Sequence, residues 1–116
     1  YMFFATVRTQ PDDRDPVKIA GLRDEAHAAL SILDQHLTER DYVCGDTFTM
    51  ADIPLGCITY RYFNVDVERP TLPHVEAWYH RLTERLAYRD HVMRHFGTNP
   101  DEWAALEKAC ASEGVV

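Results

Sequence analysis

Cysteine is scarce and unpaired in this chain. Cys44, Cys57 and Cys110 are odd in number, with no C-x-x-C, so neither a disulfide framework nor a zinc knuckle is implied and reduced, structural thiols are expected. No apolar run approaches the roughly 20 residues that span a bilayer, and no basic-then-apolar leader is present, which predicts a cytoplasmic protein with no membrane partner. Basic side chains are in deficit, 12 Lys and Arg against 19 Asp and Glu, and the net charge of -7 argues against a nucleic-acid partner, which requires a basic face. Glycine is rare as well: the five present form no phosphate-binding loop, and H-E-x-x-H and G-x-S-x-G are missing. Alternating apolar and polar stretches of useful length are also lacking, so strands are not expected.

Helix signals, by contrast, are dense. At 116 residues, 46% of them hydrophobic, the chain suffices for one compact domain and is too short for two. The segment Asp46-Thr47-Phe48-Thr49-Met50-Ala51-Asp52-Ile53 reads as a helix start. Thr49 is placed as N-cap, its hydroxyl accepting from the Asp52 N–H, while the Asp52 carboxylate reaches back to the Thr49 N–H: a capping box with Asp for the usual Glu. Phe48 and Ile53 are spaced as a hydrophobic staple. The apolar run onward to Phe63 predicts a central helix buried on several sides, with Gly56 and Cys57 small enough to admit a crossing helix. Pro54, at the fifth helical position, predicts a kink, because it cannot bond the Met50 carbonyl.

Upstream, residues 1 to about 9 read as the end of an apolar helix closed by Gln10-Pro11, with the chain opening inside that helix and Pro11 to Arg14 a loop. Asp15-Pro16 supplies an N-cap and a first-position proline. Ile19, Leu22, Ala26, Ala29, Leu30, Leu33 and Leu37 then form one apolar stripe, leaving His27, Asp34, His36 and Glu39 in solvent. Gly45 is the natural place for a positive φ in the connection that follows. Arg69 to Pro73 is a rigid turn into a helix carrying Val75, Trp78, Tyr79, Leu82 and Leu86, with Trp78 as anchor and Arg81, Glu84 and Arg85 as ordinary surface charge. Ala87 to Phe96 adds one or two turns ending near Gly97. Asn99-Pro100 opens a last helix with Trp103, Leu106 and Cys110 on its apolar stripe and a tail that frays after Ser112. The expected fold is an all-α bundle of about five helices, with 1–116 a single domain.

Candidate chemistry is thin. His91 and His95, four apart, have a metal-capable helical spacing, but a closed set of four ligands is not supplied and no metal is expected. Neither Ser31, Ser112 nor any cysteine stands in a nucleophile motif, and Asp52 is assigned to the helix terminus over a catalytic base, so no catalytic residue is assigned. Tyr1, Phe3, Phe4, Val7 and Tyr60 offer more aromatic surface than one short helix can bury in one direction: core or subunit contact is the ordinary reading, an apolar wall for hydrophobic electrophiles the functional one.

The string from Tyr42 to Gly56, followed by Arg69-Pro70-Thr71-Leu72-Pro73 and Trp78-Tyr79-His80-Arg81-Leu82, resembles the C-terminal helical domain of glutathione transferases, bacterial-type, and with the preceding helix the likeness covers nearly all of the chain. One departure is Leu86, where the family commonly has proline. The resemblance implies a two-domain parent in which a thioredoxin-like domain, absent here, binds glutathione and carries the activating residue. It also implies that Tyr1, Phe4 and Tyr60 contribute to binding a hydrophobic small molecule, that this chain alone is not catalytically competent, and that the full-length protein is a homodimer. The alternative that the likeness leaves open is a non-catalytic protein-interaction module of the same fold.

Overall fold

The computed structural model describes residues 1–114 and is entirely helical, with no strand among the described residues beyond a single Tyr42–Gly45 bridge. Six α-helices follow one another: α1 (Met2–Ala5), α2 (Pro16–His36), α3 (Asp52–Asn64), α4 (Pro73–Thr83), α5 (Leu86–His91) and α6 (Pro100–Ser112). Short 3-10 turns occupy Pro11–Asp13 and Leu37–Glu39. Of the tail after Ser112, expected to fray, Glu113 and Gly114 close a turn whose Gly114 N–H bonds the Ala111 carbonyl, and 115–116 lie outside the described residues.

The rod at the centre is α4, not α3 as the apolar run suggested. Helices α2, α3 and α5 all pack on α4, and its Val75, Trp78 and Leu82 are fully buried. The fully buried side of α3 is Asp52, Gly56, Thr59 and Tyr62, a narrow stripe at three- and four-residue steps, while Ile53 and Ile58 remain more than half exposed. Apolar residues around most of α3 therefore do not mean burial on several sides. Pro54 also changes meaning. Because α3 begins at Asp52, Pro54 falls at the third helical position, where the N–H has no intrahelical partner, and the Met50 carbonyl is taken by the Ile53 N–H instead (3.3 Å), which removes the reason for a kink.

Where capping is local, the expected starts hold. The Asp15 carboxylate accepts from the Val17 and Lys18 N–H groups at the start of α2, and the Asn99 side chain accepts from Asp101 and Glu102 at the start of α6. Gly45 takes φ +133, as the connection requires. Helix α1 stops early: the Thr6 hydroxyl donates back to the Met2 carbonyl (2.8 Å) and the Arg8 N–H reaches the Phe3 carbonyl five residues back, so a wide turn replaces helix to Thr9. Asp34, expected in solvent, caps a distant helix, its Oδ1 accepting from the His74 and Val75 N–H groups (2.9 Å each) at the start of α4. His36 is likewise engaged, Nε2 lying 2.6 Å from the Val43 carbonyl. Arg81 is not loose surface charge, since its guanidinium donates twice to the Asp41 carbonyl (2.9 and 2.7 Å) and lies over the Tyr42 ring. Leu86 leaves the α4 stripe and opens α5 from an exposed position. First-position residues tolerate proline, which is why the residue at this site can differ from the family's without moving the helix start.

Gly56 sits where α3 meets α4 and α5. A Cβ there would lie 2.9 Å from Leu82 Cδ1 and 3.2 Å from Tyr88 Cε2, and the Gly56 carbonyl accepts from the Tyr88 hydroxyl (2.8 Å). Gly56→Ala gains up to about 1 kcal/mol of helix propensity but overpacks a seam, at about 1–3 kcal/mol, so a net loss of stability is expected. Gly21→Ala, inside α2 with nothing beyond its own helical turn within 4 Å of the added methyl, is expected to stabilise by about 0.5–1 kcal/mol. Paired thermal melts check the opposite signs.

The molecule is a slab of 43 × 39 × 17 Å with a radius of gyration of 15.3 Å, against about 13 Å for a compact chain of this length. Its surface of 7680 Å² exceeds by about 1,200 Å² the roughly 6,500 Å² typical of its mass. Helix α2, for all its length, has no fully buried residue.

Candidate functional site

Four segments bound a cleft of about 830 Å³: α3, the end of α5, the α5–α6 connection and α6, with Phe3 of α1 also in its lining. Its aromatic wall is a chain of edge-to-face rings. Phe3 meets Phe96 (centroids 5.2 Å apart) and Trp103 (6.3 Å), and Phe96 meets Tyr60 (5.9 Å). Cations lie over two of the same rings, the guanidinium of Arg61, itself in the cleft lining, over Phe3 (4.5 Å) and that of Arg8 over Trp103 (4.1 Å).

Arg94, in the connection, joins the two helical walls. Its carbonyl accepts from the Tyr60 hydroxyl of α3 (3.1 Å), and its guanidinium donates to Cys110 Sγ of α6 (3.4 Å). Cys57 of α3 lines the same cleft, and both thiols are half-buried, whereas Cys44 is exposed on the Tyr42–Gly45 turn. Burial, with the neighbouring Tyr79 phenol adding to it, raises the pKa of Tyr60 above the ordinary tyrosine value. The Tyr60 phenol is therefore neutral near pH 7, with its one proton held by the Arg94 carbonyl, and it suits a wall and not an activating group. The α6 start beside the cleft is built by Gly97 at φ +71 and by the Thr98 N–H, whose hydrogen bond to Glu102 Oε2 (2.7 Å) holds that carboxyl below its usual pKa.

Of the three residues expected to bind substrate, Tyr60 lies in this cleft and Tyr1 and Phe4 lie outside its lining, 97% and 58% exposed, with Arg8 over the Phe4 ring. The side of α1 that turns inward carries Met2, Phe3 and Thr6, while Tyr1 and Phe4, three apart, share the opposite side. Phe96 and Trp103 also line the cleft; Trp103 was legible only as a core stripe residue, and Phe96 only as the end of a helix. His91 and His95 do not share a helical face, because α5 ends at His91. Among the described residues no group of three or more His, Cys, Asp or Glu is arranged to hold a metal.

The predicted capping device is half made and then extended. Asp52 is fully buried, and its Oδ2 accepts from the Thr49 N–H (2.9 Å) as expected. The Thr49 hydroxyl, however, accepts from Ala51 N–H and not from Asp52, because the Asp52 N–H is already bound to the Thr49 carbonyl (3.1 Å) in a tighter turn. The other carboxylate oxygen, Oδ1, accepts from the Val43 N–H (3.0 Å) and from the Trp78 indole N–H (2.8 Å). Burial alone would raise the Asp52 pKa, but the hydrogen bonds from Val43, Thr49 and Trp78 outweigh it and leave the pKa below the usual carboxylate value. Phe48, spaced as a staple on Ile53, has its ring against Tyr42 (6.2 Å) and under the Arg85 guanidinium (3.7 Å), and Ile53 is 51% exposed.

The Asp52 carboxylate at the start of α3 and the Trp78 anchor of α4 tie the molecule together as one kind of all-helical domain. The family described as glutathione S-transferase, C-terminal domain, matches residues 16–81, and the chain belongs to it. It is 37% identical over 87 residues to glutathione S-transferase GstB of Escherichia coli strain K12, covering 75% of this chain and 42% of that protein. Among solved structures, the theta class glutathione S-transferase of the citrus canker pathogen Xanthomonas axonopodis pv. citri with glutathione bound is 41% identical, with a TM-score of 0.76 over 79% of this chain and 49% of that one. The apo form of the same enzyme is 40% identical, with a TM-score of 0.79 over 83% and 50%. The chain thus spans about half the length of these relatives. No helix among the described residues is long and apolar enough to cross a membrane.

Proposed function

We propose that this chain is the substrate-pocket domain of a glutathione transferase-like enzyme that transfers glutathione to hydrophobic electrophiles. The observation that carries the reading is the cleft of about 830 Å³, large enough for a small aromatic, in which Phe3, Tyr60, Phe96 and Trp103 form an aromatic wall and Arg61, Arg94 and His95 add polar surface. Glutathione itself is bound mainly by a thioredoxin-like domain outside this chain, where a hydrogen bond to its sulfur favours the thiolate. That thiolate attacks an electrophile held against the aromatic wall, and the rate gain comes from holding the two together. Tyr1 and Phe4 join the wall only where further polypeptide packs against them. On this reading the full-length protein works as a cytoplasmic homodimer, and this chain alone has no means of activating sulfur.

Equilibrium dialysis tests the reading with 1,3-dinitrobenzene, an unreactive aromatic, and with glutathione. Dinitrobenzene is expected to bind with a Kd of about 0.3–2 mM, from roughly 0.3–0.4 kcal/mol per non-hydrogen atom, and Phe96→Ala is expected to weaken it several-fold. Glutathione is expected to pass unretained, and 1-chloro-2,4-dinitrobenzene with glutathione to react no faster than in buffer. Retention of glutathione, or failure to bind the aromatic, contradicts the proposal.

A further inference from the structure

We propose that the cleft also captures soft aromatic electrophiles covalently, with Cys110 as the modified residue. The inference rests on the reading of the cleft as a seat with an aromatic wall and adds a reaction that needs no glutathione. Two of the three thiols of the chain, on α3 and α6, line this one cleft, while the third is exposed on a turn outside it. Cysteines would be unremarkable in a packed core, but here two of them line open volume together with four aromatic residues. An aromatic acceptor stacked against Phe96 or Trp103 is held next to a nucleophile, which raises the effective concentration of one for the other.

Cys110 is preferred over Cys57 because its sulfur is fixed. The Arg94 guanidinium donates to Sγ at 3.4 Å, and Arg94 is itself tied to the opposite wall through Tyr60. An N–H group that close to the sulfur is also within reach of a carbonyl oxygen two atoms from the attacked carbon. The step is conjugate addition. The sulfur lone pair forms a C–S bond at the β-carbon of an unsaturated carbonyl compound, and the π pair of the C=C bond moves to the carbonyl oxygen as an enolate. The enolate carbon then takes the proton given up by the thiol, through water. No oxidant is consumed and no group leaves.

Two maleimides with the same reacting double bond and different shape test this on the 116-residue chain, their difference in intrinsic reactivity cancelling in a ratio of two sites: N-phenylmaleimide and N-methylmaleimide, each substoichiometric at pH 7, with adducts located by peptide mass spectrometry. The Cys110 to Cys44 adduct ratio is expected to be at least fivefold higher with the phenyl reagent, and unreactive N-phenylsuccinimide in excess is expected to slow labelling of Cys110 and leave Cys44 unchanged. Equal ratios for the two reagents overturn the proposal, and a phenyl preference at Cys57 instead overturns the assignment to Cys110. Dialysis with N-phenylsuccinimide separates the two readings. Binding of the analogue with equal adduct ratios removes covalent capture and keeps the pocket, whereas no binding with equal ratios removes both.

Discussion

Asp52→Ala is expected to lower the free energy of unfolding by about 3–5 kcal/mol, a large part of the 5–15 kcal/mol typical of a domain. A local cap would cost about 1 kcal/mol. The larger figure follows from burial and partners: a fully buried carboxylate accepts from the Val43 N–H, the Thr49 N–H and the Trp78 indole, and its removal strands three donors where water reaches them poorly. Asp52→Asn is expected to lose less, because the amide oxygen can keep the Val43 and Trp78 donors while its NH2 is left facing the Thr49 N–H. Acid has a related effect. A carboxyl whose folded pKa lies below its unfolded value stabilises the fold above about pH 4 and ceases to do so as the pH falls through the folded value. Urea melts of wild type and Asp52→Ala from pH 7 to pH 2 are therefore expected to converge toward the acid end. A constant gap between them would show that ionised Asp52 is not what the fold uses.

Trp78→Ala is expected to cost a further large amount, about 3–5 kcal/mol, since Trp78 is the largest fully buried side chain and stands on the helix that α2, α3 and α5 share. Volume and hydrogen bonding can be told apart. Trp78→Phe keeps the six-membered ring and loses the pyrrole part of the indole with its donor to Asp52 Oδ1, so about 2–3 kcal/mol is expected in the wild-type background and only the packing share of it once Asp52 is alanine. A double-mutant cycle by chemical denaturation gives this coupling directly, and additive losses would mean that the indole acts by packing alone.

These two residues also mark how far the sequence is legible. Asp15 and Asn99 could be assigned as caps because their partners lie two and three residues ahead, a distance that spacing encodes. Asp52 was legible for the same reason only toward Thr49; Val43 and Trp78 reach it through tertiary folding, as His74 and Val75 reach Asp34. Trp78 was identifiable as an anchor because helical spacing places it between Val75 and Leu82. The rank of α3 was misjudged because apolar content does not say which side another helix will cover. The cleft shows the same limit. Aromatic residues at the front of the chain were visible, but whether Phe3 or the pair Tyr1 and Phe4 turns inward depends on where α3 and α6 lie, and on a helix of four residues no periodicity decides it.

The slab form bears on how the chain would unfold. Layers barely two helices deep leave an excess of area already wet in the native state, so unfolding hydrates less fresh hydrocarbon than it would for a rounder molecule of equal mass. Both the denaturant m-value and the heat-capacity increment scale with that difference. A gently sloped urea transition and a broad, low dome of stability against temperature follow from the same geometry, and under them each kilocalorie lost to a core substitution moves the melting point by an unusually wide margin.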